Sequence, residues 1–300
     1  MSGWPSVGVV LPTKDRPELL RRALDAVLAQ DYPGEVRAVV VFDGGEPRLD
    51  GGGRALVVTN ERTPGLAGAR NTGVLALDTE LVAFCDDDDV WEPGKLTAQV
   101  GSLTRRPDAE FASCAIAVDF GGRTSPRLAG RSEVTHCQLL RSRMVMVHSS
   151  TFLAHRAALL DGIGLLDESI PGSQNEDWDL ALRAARRHPI VHVDEPLVRV
   201  LWGSASHFAR QWQTKVESLQ WMLRQHPDIS GSPVGAGRVY AQIAFAQAAL
   251  GHRGDAWRWA RRSLRANWHE RRIPFVLAVA CGFVSADTVL RLLHARGHGI

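Results

Sequence analysis

The sequence is short of cysteine: Cys85, Cys114, Cys137 and Cys281 are scattered, with no C-x-x-C pair. That spacing excludes a disulfide framework and a thiolate zinc site, and it fits a reducing compartment. An excess of one charge is also missing. With 35 Lys and Arg against 33 Asp and Glu the net charge is +2, so no large field calls for nucleic acid. No apolar run reaches the roughly 18 residues of a membrane span; Leu277 to Val284 is the nearest and is too short. The opening MSGWPSVGVVLPTKDR has neither a basic leader nor a small-residue cleavage site, so it reads as a first strand and not a signal peptide. These absences point to a folded cytoplasmic protein, and a hydrophobic share of 45% over 300 residues suffices for a sizeable core.

What is present is alternation. Apolar runs of strand length (Val7 to Pro12, Val36 to Phe42, Ala55 to Thr59, Leu81 to Cys85) are separated by amphipathic stretches of helix length, which predicts βαβ units around a mostly parallel sheet, all four strands central. Asp15, Pro17 and Glu18 predict a capping box at the start of the first helix. Leu66 to Leu77 reads as a helix despite Gly68 and Gly73, whose smallness implies close backbone approach. A helix from Pro93 to Arg105, strands at Phe111 to Val118 and Ser150 to Leu153, a helix at Asn175 to Arg187 and two short strands ending near Trp202 follow. Gly121 to Arg131 is a basic, turn-rich loop or hairpin. From Phe208 onward the pattern is helical, with Tyr240 to Trp268 as a helical hairpin. This divides the chain into 1–207 (halves 1–106 and 107–207) and a helical region, 208–300.

Four consecutive aspartates, Asp86 to Asp89, end the fourth apolar run. Carboxylates packed at the mouth of an open α/β sheet repel one another unless a cation or hydrogen-bond donors compensate. Their oxygens are the ligands that Mn²⁺ or Mg²⁺ prefers, alongside substrate phosphates. A solvated acidic turn is the bland alternative. A second acidic group, Glu176, Asp177 and Asp179, opens a helix, where the macrodipole alone also favours carboxylates.

VGVVLPTKDRPELLRRALDAVLAQDYP, VVVFDGG, ERTPGLAGARNTGV, FCDDDDVWEPGKL and NEDWDLALR occur in this order across about residues 5 to 205, and together they resemble the family 2 glycosyltransferases of GT-A fold. The resemblance implies an inverting, metal-dependent transfer of a sugar from a nucleoside diphosphate, UDP or dTDP, to an acceptor it does not identify. It implies Pro12, Thr13, Lys14 and Asp43 at the nucleotide base, with Arg70 and Asn71 near the nucleotide. Asp86 and Asp87 would contact the ribose or the metal shell, and Asp88, with Asp86 and His207, the Mn²⁺ or Mg²⁺. Asp177 would be the base, with Glu176 the second candidate. Phe42 stands where an aspartate is frequent and Lys14 where an aromatic residue is frequent, so the base and sugar stay open. His148 reads as a locally satisfied histidine.

Two rival readings exist: a noncatalytic nucleotide-sugar or glycan-binding protein, and a sugar nucleotidyltransferase, whose Gly-rich phosphate loop LPTKDRPELL lacks. The last 48 residues, from Arg253, carry nine arginines against Asp255, Glu270 and Asp287. A solvated face, homodimerisation and contact with the inner face of a membrane remain open for this region.

Overall fold

The computed structural model describes residues 3–49, 53–201 and 211–294. In chain order the elements are β1 (Val7–Thr13), α1 (Pro17–Leu28), β2 (Val36–Phe42), β3 (Leu56–Thr59), α2 (Leu66–Ala76), β4 (Leu81–Phe84), β5 (Val90–Trp91), α3 (Lys95–Thr104), β6 (Phe111–Phe120), β7 (Arg123–Arg127), β8 (Glu133–Val134), α4 (His136–Arg141), β9 (Leu153–His155), α5 (Glu176–Arg187) and β10 (Ile190–Leu201). Helices α6 (Trp212–Gln225), α7 (Pro227–Gly231), α8 (Pro233–Ala249), α9 (Arg253–Ala266), α10 (Ile273–Ala280) and α11 (Ala286–His294) follow.

All strands join one sheet with the path β3-β2-β1-β4-β9-β6-β10-β5. Its first half is parallel, β1 lying between β2 and β4. Strand β9 runs antiparallel to both β4 and β6, and β6 pairs in parallel with β10. This is the mostly parallel, helix-flanked sheet that the alternation predicts. Its apolar strands bury Val7, Val9, Leu11, Val40, Ala83 and Ile116 completely, and Leu20, Ala23, Leu24 and Val27 of α1 close over them.

Several expectations are corrected. Strand β3 is an edge strand with Leu56 50% exposed, because β2 is its only partner among the described strands. The capping box does not form: Arg16, not Asp15, is the N-cap of α1, without a side-chain cap bond, since Asp15 turns left-handed at φ 54° and points the chain elsewhere. Ser149–Thr151 is a short 3₁₀ turn ahead of β9, where a strand was expected from Ser150. The two expected final strands are one, β10, whose register slips around Pro196, a residue that cannot donate to the ladder. The basic turn-rich segment does form a hairpin, β7 against β6. Gly68 and Gly73 are close-packed as expected: a Cβ at Gly68 would collide with the Thr63 carbonyl, and one at Gly73 with Val10.

Contacts divide the chain into two compact units: 1–139 with 144–168 and 176–203, and 140–143 with 169–175 and 204–300. The second unit is built on α8, whose Ala241, Ala244 and Phe245 pack with Ala260, Ile273 and Val276. No described helix is long and apolar enough to cross a membrane.

Candidate functional site

Parallel strands β2, β1 and β4 end side by side. The Asp43 amide donates to the Thr13 carbonyl at 2.9 Å, and Cys85, the residue after β4, donates to the Val10 carbonyl at 3.0 Å. The carboxyl edge of the sheet therefore gathers Thr13, Asp43 and the Asp86–Asp89 run, the place where open α/β sheets take ligands.

The four aspartates differ sharply in environment. Asp86 accepts from Ser149 Oγ at 2.9 Å and from the Arg70 guanidinium. Arg70, only 1% exposed, also donates to Glu176, so a single fork ties the aspartate run to the start of α5, 90 residues later. Burial works to raise Asp86, but Arg70, with His148 and Ser149, outweighs it and holds the carboxyl below the usual carboxylate range. Asp87 accepts from Thr13 Oγ1 at 2.8 Å and from Arg16 at 3.2 Å, and burial pushes it up to about 6. Asp88 accepts from the same Arg16 nitrogen at 3.1 Å and is raised by burial and by Asp86. Asp89 is 2% exposed and raised well above its ordinary value by burial, then by Asp86 and Asp88.

A cation would reverse that last shift. Asp89 Oδ2 is buried without a hydrogen-bond partner, and it lies 3.5 Å from His148 Nδ1. Ligand atoms of Asp86, Asp89 and His148 all lie within 4.8 Å of one another. An orphaned buried carboxylate oxygen beside a second carboxylate and an imidazole fits a divalent ion of the Mn²⁺ or Mg²⁺ type. Asp88 lies outside this trio, on Arg16.

The remaining expected residues are placed as follows. Asp43 accepts from Asn60 Nδ2 at 2.7 Å and from the Gly65 amide at 3.0 Å, so it fastens the loop that leads into α2. Pro12 is buried at the end of β1 and Lys14 is exposed beyond it. Asn71 faces away from the aspartates in its bonding: it donates to the Leu166 carbonyl at 2.9 Å and to Glu168 at 2.7 Å, and accepts the Leu166 amide at 3.0 Å. Asp177, 4% exposed, accepts the Trp178 amide at 2.7 Å in the first turn of α5. Trp178 is core, its indole donating to the Leu139 carbonyl at 3.1 Å. His207 lies outside the described residues.

Sequence reasoning missed Arg16, Ser149 and Ser150, it singled Asp89 out only as one of the four crowded aspartates, and it gave His148 a local role only. The local role exists, since Ser150 donates its amide to His148 Nδ1 at 3.3 Å. Arg16 had one available signal, a second cation after Lys14 in the turn that follows β1. The Ser149–Ser150 pair had none, because its approach to Asp86 is made by a turn between non-adjacent segments.

Residues 8–161 match the model of glycosyl transferase family 2. An uncharacterized glycosyltransferase of Rickettsia felis is 25% identical over 215 residues, 65% of this chain; the chain spans only 33% of that relative's length. The UDP-Glc:alpha-D-GlcNAc-diphosphoundecaprenol beta-1,3-glucosyltransferase WfgD of Escherichia coli is 28% identical over 104 residues, 33% of this chain and 41% of WfgD. Among solved structures, S. aureus TarS 1-349 in complex with UDP-GlcNAc aligns at a TM-score of 0.60 over 98% of this chain and 92% of that one; at 14% identity the likeness is one of fold. The matched segment holds just over half the chain, including the whole aspartate run, Arg70 and His148, and on that ground the chain belongs to glycosyl transferase family 2.

Proposed function

We propose that this protein transfers a sugar from a UDP- or dTDP-sugar to an acceptor nucleophile in one displacement that inverts the anomeric carbon. The observation that carries the reading is the Arg70 fork. It holds Asp86 and Glu176 together in a buried position, which brings the aspartate run and the first turn of α5 to one place. That WfgD is named for UDP-Glc, and that TarS is solved with UDP-GlcNAc, favours uracil as the donor base.

In this reading Pro12, Thr13 and Lys14 line the base and Asp43 accepts its imide N–H through lone pairs that Asn60 and Gly65 leave over. Asp86 and Asp87 face the ribose. Asp86, Asp89 and His148 would hold the Mn²⁺ or Mg²⁺, Asp88 joining them on release of Arg16; when bound, the ion would offset charge on the diphosphate. Glu176 is tied up by its hydrogen bond from Arg70, so the proton falls to Asp177. Its carboxylate accepts the acceptor's proton as that atom bonds to the anomeric carbon, and the bond from that carbon to the diphosphate oxygen breaks. Arg70 holds Glu176 and Asp86 in place throughout.

The test is transfer and donor binding measured side by side. Asp177→Asn should lower transfer by about 10² to 10⁴ while a UDP-sugar still raises the melting temperature. Undiminished transfer by Asp177→Asn would refute the assignment of the base, and no thermal shift with any nucleotide sugar would refute the donor.

A further inference from the structure

Helix α9 packs inward through Ala256, Ala260 and Ser263, spaced four and three apart, and Ser263 Oγ donates to the Gly237 carbonyl of α8 at 2.7 Å. Its outer side is chemically distinct. At about 100° per residue, Trp257 and Leu264 share one line along the helix, and Arg258, Arg261 and Arg265 form the row beside it. Trp257 is 45% exposed, Leu264 41%, and Trp268, two residues past the helix end, 76%. The helix carries five arginines against one acid, Asp255, which pairs with Arg258. Arg262 lies over the Trp259 ring at 4.7 Å. Arg261 and Arg265 have no ion-pair partner among the described residues.

A solvated helix face ordinarily mixes acids with bases and does not display large indoles. A row of guanidinium groups beside projecting indoles has the composition of a segment lying in a lipid–water boundary: tryptophan settles at headgroup depth, and arginine pairs with lipid phosphate. Charge complementarity then selects an anionic surface. We infer that the outer face of α9 docks on an anionic lipid bilayer, with Trp257 and Trp268 in the headgroup layer and Arg261 and Arg265 on lipid phosphates. This surface lies in the helical unit and does not depend on the donor site or on the reaction proposed above.

The experiment is sedimentation of the full chain with vesicles of phosphatidylcholine alone, or of phosphatidylcholine with phosphatidylglycerol. The chain should pellet with the anionic vesicles only and be released as salt shortens the screening length. Arg261→Ala with Arg265→Ala should weaken binding about thirtyfold, at about fivefold for each arginine near such a surface. Trp257→Ser with Trp268→Ser should weaken it as well, and the arginine variant should keep the wild-type melting temperature because both guanidinium groups are exposed. Absence of pelleting with anionic vesicles, equal pelleting with both kinds, or wild-type binding by both variants would overturn the inference. So would a homodimer in light scattering that both variants abolish while vesicle binding is absent.

Discussion

Replacing Arg70 with methionine isolates what its guanidinium does, because the two side chains have similar reach and only the charge and the fork are lost. Arg70 is 1% exposed, and its partners Asp86 and Glu176 have side chains 18% and 7% exposed. Removing the cation leaves two buried carboxylates facing each other. Breaking a buried ion pair by deleting one partner costs about 3–5 kcal/mol, a large part of the roughly 5–15 kcal/mol of a whole domain. The sign with pH follows from Asp86, whose folded value Arg70 holds below the ordinary 3.8. Its contribution is present above the unfolded value and is lost as pH falls through the folded one. The deficit of Arg70→Met should therefore be full at pH 7 and shrink in acid, where both carboxyls take up protons. Urea unfolding at pH 7 and in acid measures this. Adding Asp86→Asn and Glu176→Gln to Arg70→Met should restore much of the stability and none of the transfer. A deficit below about 1 kcal/mol at pH 7, the worth of an exposed pair, would refute the reasoning.

Lys95 offers a test of opposite sign. It is 0% exposed, bonded to Gln99 at 2.7 Å and seated 3.7 Å over the Trp91 ring, and burial lowers it from 10.5 to about 8. Wild-type stability should rise between pH 8 and 10.5, since the unfolded chain there binds more protons. Lys95→Met should remove that slope and stabilise the protein at pH 7 by about 1–2 kcal/mol after loss of the hydrogen bond; thermal melts across this range check both. Gly68→Ala should cost about 1–3 kcal/mol by forcing the Thr63 carbonyl away from α2, read as a fall in melting temperature, whereas Gly94→Ala, where a Cβ meets nothing within 4 Å, should change little. Glu168 is held down at about 2 despite its partial burial, by bonds from Asn71, Arg62 and Thr63. Its contribution should be lost as pH falls from 4.5 toward 2, and Glu168→Gln should flatten that limb of the acid unfolding curve.

The parallel half of the sheet was legible because β1, β2 and β4 are short, mostly apolar runs that give way to polar residues at their carboxyl ends, as doubly covered strands do. Strand β3 misled for the same reason: Leu56 and Val57 are apolar at an edge, and composition does not say which strand ends a sheet. The continuity of β10 was hidden by Pro196, which breaks the pattern but is absorbed as a bulge. In the site, Asp86 to Asp89 were visible as charge crowded at a strand end. Their partners were not, since Arg16, Ser149 and His148 reach them through turns whose geometry no periodicity encodes. Asn71 shows the converse. Its motif places it beside Arg70 in sequence, but on α2 adjacent residues point about 100° apart, and Asn71 bonds the 166–168 segment instead.

Calorimetry of UDP-GlcNAc or UDP-glucose binding in Mn²⁺ and in EDTA, with wild type and with Asp88→Ala and Asp89→Ala, tests the role of the crowded carboxylates most directly. Saturable binding by wild type in Mn²⁺, abolished by EDTA and weakened by at least tenfold in both variants, is the predicted result. Equal affinity in EDTA, or wild-type affinity in both variants, would contradict it.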